Sequence, residues 1–278
     1  MIQIYSCHHK PYQQIKSNII YPIHVGKALS NIDLGFQGDD TSDNISNKNP
    51  HFCELTATYW IYKNVKADIV GLFHYRRFLN FANNETKTNK IDNNFATTYG
   101  ITEENIKNIL KDYDIIVPNK TKPTKTTVYD FYAKEHFGSD MDLVLDIIKQ
   151  KYPSDYEIAV KELKENSQTI IANMLITKKH IFDAYAKWLF DILFEVEKHI
   201  QPDVLTRNSY QQRVYGFLSE RLMGVFLAIH KELKVKHLPI LMIEEDAKKF
   251  RKYKIRKIKN KILTFITLGL KKWVKFKI

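Results

Sequence analysis

The chain has 278 residues, 44% of them hydrophobic, and a formal net charge of +12. That is enough to bury a full α/β core, with one domain plus an appendage as the natural organisation. The charge is uneven: residues 247–278 hold thirteen Lys or Arg and no Asp or Glu, while residues 1–246 hold thirty basic and thirty-one acidic residues. The body therefore lacks the basic face that a nucleic-acid-binding domain carries. With only Cys7 and Cys53, neither a disulfide framework nor a cysteine metal knuckle can be built, which points to a reducing cytoplasm.

In chain order, Ile2 to Ser6 reads as a first strand rather than a leader, followed by His8-His9-Lys10-Pro11-Tyr12. A first strand of a nucleotide-binding sheet delivers its following loop to the ligand crevice, so His8 and Lys10 are candidates to approach a nucleotide; the alternative is a solvated basic turn. No glycine-rich phosphate loop, Walker motif or dinucleotide fingerprint occurs. The stretch GDDTSDNISNKNPHFCELTATYWIYKN opens on Asp39, Asp40, Asp43 and Asn44, residue types that bond their own backbone in loops. Asn49-Pro50 starts a helix that the apolar stripe Phe52, Leu55, Tyr59, Tyr62 carries to about Asn64.

Ile69 to Phe73 is an unbroken apolar run of strand length, expected for a parallel strand covered on both faces. It ends in His74-Tyr75-Arg76-Arg77, a positive cluster suited to a diphosphate at the carboxyl end of a strand. The competing reading has both arginines pairing with Asp39, Asp40 or Asp43 to hold the loop.

Residues 79–99 are rich in Asn, Thr and Lys and read as an exposed insertion or lid. Thr102-Glu103-Glu104 begins a helix running to about Lys111, Asp114 to Pro118 is a buried strand, and the loop Asn119 to Thr127 could flank an acceptor channel. A helix follows Gly138, and Ile170 to Thr177 reads as a strand containing Asn173-Met174. His180 to Ile200 is an amphipathic helix, and Arg207 to Ile229 mixes an apolar helical face with Gln212, Arg213, Glu220 and Arg221. The basic, aromatic-rich tail is too short in its apolar part to span a bilayer, and suits an interfacial helix on an anionic membrane.

Several of these segments, IYSCHHKPY, GDDTSDNISNKNPHFCELTATYWIYKN with GLFHYRRF, NMLITKKHIFDAYAKWLFDIL and QQRVYGFLSERL, resemble a bacterial family catalogued as domain of unknown function 4422 and found with capsule, exopolysaccharide and lipopolysaccharide genes. Ser42 stands where the family often has glycine, and Phe78 where it often has tyrosine. The resemblance implies a GT-A-like, Rossmann-like α/β domain over residues 1–246 with a mixed, mostly parallel sheet flanked by helices, and a basic tail over 247–278. It further implies a glycosyltransferase using a nucleotide-diphosphate sugar, such as a UDP-sugar or UDP-galactofuranose, and a growing surface glycan.

In that reading His8, Lys10, Asp39, Asn44, His74, Tyr75, Arg76, Arg77, Asn173, Met174, Gln212 and Arg213 bind the donor. Glu220 is the leading catalytic base, with a plain helix ion pair to a neighbouring arginine as the competing and favoured reading of that residue, and Asp40 and Asp43 are rivals. Asp140-Met141-Asp142 matches the acidic triplet with which many GT-A enzymes hold a metal, but its place at a helix start favours capping. Cations in place of a metal make metal-independent chemistry the expectation, Mg or Mn remaining open. The expected partners are the sugar donor, a polyprenyl-diphosphate-linked or other glycan acceptor and an anionic inner membrane face. The competing classes are a non-catalytic scaffold or nucleic-acid binder localised by its tail, and a two-carboxylate hydrolase.

Overall fold

The computed structural model describes residues 1–83, 85–122 and 125–258. Residues 259–278, the greater part of the tail, and Pro123-Thr124 of the proposed channel loop lie outside them.

Among the described residues nine strands form one mixed sheet. Strand β1 (Ile2–His8) lies between β2 (Ile20–His24) and β3 (Ile69–His74), parallel to both. On its other side β3 runs antiparallel to β7 (Leu175–Lys178), which leads through β6 (Ile115–Pro118) to β8 (Val235–Leu238). Past its end β3 turns back through Tyr75-Arg76 into β4 (Arg77–Leu79), which carries β9 (Ile240–Ile243) and β5 (Lys87–Thr88). Up to residue 229 the α-helices are α1 (Asn49–Phe52), α2 (Leu55–Asn64), α3 (Phe95–Thr98), α4 (Glu103–Asp112), α5 (Val128–Glu135), α6 (Gly138–Lys151), α7 (Tyr156–Lys164), α8 (Lys179–Val204) and α9 (Val214–Ile229).

Period-two alternation divides each central strand between two cores. Val70 and Leu72 of β3, Leu175 of β7, and Ile115 and Val117 of β6 pack towards α2, α6, α8 and α9. Phe73, Ile176 and Ile116 pack the other way, with Ile106 and Leu110 of α4. A strand buried on both faces has no polar position to spare, which is why β3 reads as one apolar run. Gly71 at its centre is required by close approach, since a Cβ there would lie 2.8 Å from both Ile176 Cγ1 and the Leu175 carbonyl oxygen.

Three expectations change. The helix begun at Asn49 is two helices, broken at Cys53, whose φ of 52° and ψ of −131° end α1 before α2 starts. The apolar stripe continues in sequence across the break, so periodicity cannot reveal it. Within the polar stretch 79–99, Leu79, Ile91, Phe95 and Tyr99 are buried with α4 beneath the sheet. Few apolar residues suffice there because each is inserted. Finally, the strand expected from Ile170 begins only at Leu175, because Ala172 and Asn173 take left-handed backbone (φ 79° and 40°).

Candidate active site

A cleft of about 570 Å³ opens beyond the carboxyl ends of the parallel pair β1 and β3. Five stretches of chain meet in it: Cys7 and His9 from the end of β1, Val25 just past β2, His74 to Arg77 from the β3–β4 turn, Asn49, Pro50, Cys53 and Glu54 from the broken helix, and Arg213 ahead of α9. This is where an open α/β sheet binds ligands, because strand ends present backbone and side chains that no neighbour covers.

Each cation in it is held differently. Arg76 pairs with Glu245 at 2.6 Å and lies over the Tyr75 ring at 5.1 Å, so its charge is already matched. Arg77 has no carboxylate within ion-pair distance among the described residues, and the same holds for Arg213. Arg213 lies over the Phe217 ring and donates from Nε to the Cys53 thiol at 3.2 Å. Burial, the charge of Glu54 second, pushes that thiol up to about 12, so Cys53 faces the cleft as a neutral group. Two guanidinium groups without carboxylate partners bordering one cleft have the charge and donor geometry that suit an anion. Tyr75 is braced edge-on by His9 and Tyr12, at 5.2 and 4.9 Å between ring centres.

Beside the cations sits a small recess of about 70 Å³ shared by Glu54, His74, Arg77, Arg213 and Glu220. Glu54 follows the helix break and accepts from Asn173 Nδ2 at 2.8 Å. His74 donates from Nε2 to the Ala172 carbonyl at 2.7 Å and lies 3.9 Å from Glu54. Glu220 accepts from the Ala172 N–H at 2.9 Å and from Arg221 at 2.8 Å. Burial raises the Glu220 carboxyl above its usual range; Arg221 opposes this and the negative Glu54 adds to it. Cys53, Ala172 and Asn173, all with positive φ and no glycine among them, form the frame of this recess. Such backbone costs on the order of 1–3 kcal/mol per residue and persists where the surroundings over-determine it. Here Asn173 is fixed by Glu54, the Gly216 carbonyl and Ser219. Gly216 lets α9 close on the break, since a Cβ there would stand 3.3 Å from Cys53 Sγ.

Of the residues singled out from sequence, the structure brings His74, Tyr75, Arg76, Arg77 and Arg213 to the cleft, and Glu220 to the recess. Asn173 sits behind the recess as the partner of Glu54. The others lie elsewhere. His8 is buried behind Phe36 and Ser6, with burial lowering its pKa to about 4; its neighbour His9 faces the cleft instead. Lys10 is exposed near Tyr75. Met174 is wholly buried beneath the sheet.

Asp39 is buried and accepts from the Gly26 and Lys27 N–H groups and from Ser46, which ties its loop together. Asn44 bonds the carbonyls of Asp40 and Ser42, Asp43 binds Tyr59 and Lys63, and Asp40 is exposed. The loop closes on itself: neither arginine pairs with it, contrary to the competing ion-pair reading. Ser42 takes a φ of 52°, a conformation glycine adopts without strain. Gln212 spends its amide on the Leu205 and Arg207 carbonyls. Asp140 does not cap its helix: its carboxylate is buried in a two-pronged pair with Arg207 at 2.6 and 2.8 Å. Asp142 bonds Tyr129 and Lys164.

Sequence reasoning missed Glu54 and His9. Glu54 lies outside the apolar stripe Phe52, Leu55, Tyr59, Tyr62, and that absence from the packing pattern was the only signal available. His9 follows the last residue of β1, and alternation along the strand, with Ser6 and His8 sharing a buried face, would have favoured it over His8.

Residues 3–232 match the family described as domain of unknown function DUF4422. Among solved structures, the chain is similar to one described as the apo structure of the bifunctional glycosyltransferase WbbM. The TM-score is 0.80 and the identity 36%, covering 87% of this chain and 45% of that one. The chain thus spans less than half the length of that protein. No curated protein matches it.

Proposed function

The chain belongs to the DUF4422 family, and on that premise we propose that it is a glycosyltransferase. It moves a sugar from a nucleoside-diphosphate donor, a UDP-sugar with UDP-galactofuranose the first to test, onto a growing capsular, lipopolysaccharide or exopolysaccharide glycan. The observation that carries this reading is the pair Arg77 and Arg213, two guanidinium groups without carboxylate partners among the described residues, bordering a cleft at the strand ends. The similarity to WbbM supports it.

In the reaction, an acceptor hydroxyl oxygen bonds to the anomeric carbon of the donor as the bond from that carbon to the diphosphate oxygen breaks. The electron pair departs with the diphosphate, whose charge Arg77, Arg213 and His74 stabilise. The hydroxyl proton passes to Glu220, whose raised pKa makes it a better proton acceptor than an ordinary carboxylate. Glu54, beside His74, orients the donor sugar, and the Tyr75 ring offers a face to the base. Fixed cations do the work that a divalent ion does in other transferases.

The acceptor is a polyprenyl-diphosphate-linked glycan at the inner membrane face, approached with the help of the basic tail. Among the described residues no helix is long and apolar enough to cross a membrane. A donor screen that follows UDP release with and without EDTA tests the reading. Sugar-dependent UDP release that survives EDTA is expected; no release with any nucleotide sugar contradicts it.

A further inference from the structure

A second cleft, of about 700 Å³, shares Arg77, Arg213 and Glu220 with the site above and extends away along α5, α9 and β9. Its wall is aromatic on one side: Phe217 stacks on His136 at 4.1 Å between ring centres, and Tyr210 lies 5.1 Å from Phe217. Ile240 and Met242 form part of the rest. Arg221, whose side chain is 4% exposed, lines this cleft and keeps its Nε–H without a hydrogen-bond partner among the described residues.

We infer that this second cleft is the acceptor subsite, and that it takes a saccharide ring seated on the Tyr210–Phe217 wall with a hydroxyl directed to Glu220. The inference rests on the glycosyltransferase reading and adds to it the place and chemical class of the acceptor. Aromatic faces beside a few polar groups suit a sugar, whose ring carries an apolar face and an equatorial set of hydroxyls. Because Glu220 borders both this cleft and the small recess beside the cations, a hydroxyl entering here meets the carboxylate that also faces the donor site.

The test uses the full chain saturated with UDP and octyl β-galactopyranoside, octyl β-glucopyranoside and octane-1-ol as probes, read by saturation-transfer NMR. Tyr210 is 53% exposed, so Tyr210→Ala keeps the fold; Phe217→Ala is the second variant, its folding checked by thermal melt. Expected are signals from sugar-ring protons of at least one glycoside, weakened about 3- to 10-fold in both variants, with UDP affinity within about 2-fold of wild type in Tyr210→Ala. Three results overturn the inference: no ring-proton transfer to the wild type, ring binding unchanged in both folded variants, or displacement of the glycoside by UDP. Failure of the wild type to bind UDP, measured separately by calorimetry, strikes instead at the glycosyltransferase reading.

Discussion

Arg77 and Arg76 are neighbours in sequence with opposite circumstances. Arg76 is matched by Glu245, whereas Arg77 borders both clefts and the recess. Substituting Arg77 by Ala should lower kcat/KM by about 10²- to 10³-fold, as loss of one charge-stabilising donor does elsewhere. Arg76→Ala should cost less than about 10-fold, since its charge is already neutralised, and steady-state kinetics on both variants separates the two.

Glu220 carries a second expectation. As a base it must be ionised, and burial raises its pKa above the ordinary value. Activity should therefore fall as pH drops, with the half-point above the usual carboxylate range, and Glu220→Gln should abolish turnover at every pH. A pH–rate profile with its acid limb near an ordinary glutamate pKa would count against this role. The cationic turn was legible because four polar residues interrupt an apolar run; Glu54 was not, because a lone glutamate on a helix resembles any solvated position.

Among the elements, the break between α1 and α2 and the left-handed pair ahead of β7 together build the recess, and both escape periodicity because a single residue with positive φ leaves the pattern on either side intact. Ala172 at φ 79° is costly for any residue with a Cβ, whereas glycine adopts it freely. Ala172→Gly should therefore hold or raise stability by up to about 1 kcal/mol in urea unfolding, although the same change in a helix lowers it by a similar amount. The acidic triplet of α6 belongs to this scale too. Arg207 and Asp140 are both nearly fully buried, so Arg207→Ala should cost about 3–5 kcal/mol by leaving a carboxylate unpaired. Its effect should appear in the denaturation midpoint and not in the metal dependence of activity.

Over the whole molecule, the α/β class, the strands β1, β3 and β6 and the long helix α8 follow from apolar runs and 3.6-residue stripes, because burial leaves a strong trace in sequence, whereas β2, β4, β5, β8 and β9 were not expected. The antiparallel placement of β7 within the sheet left none, since a strand buried on both faces reads the same in either direction. The segment 247–258 is helical and touches the rest of the chain through Tyr253 and Lys257, which meet Thr86 and Glu85, while Ile255 and Ile258 remain exposed among basic residues. An interfacial role for this end predicts that deleting residues 247–278 removes sedimentation with anionic vesicles and leaves UDP binding in place.

The account as a whole turns on the charge of Arg77 and Arg213 meeting a diphosphate. Calorimetric titration of UDP into the full chain and into the Arg77→Ala and Arg213→Ala variants measures this directly. Binding to the wild type, weakened about 10-fold or more in each folded variant, is expected. Equal affinity in all three proteins, or no UDP binding by the wild type, would contradict it.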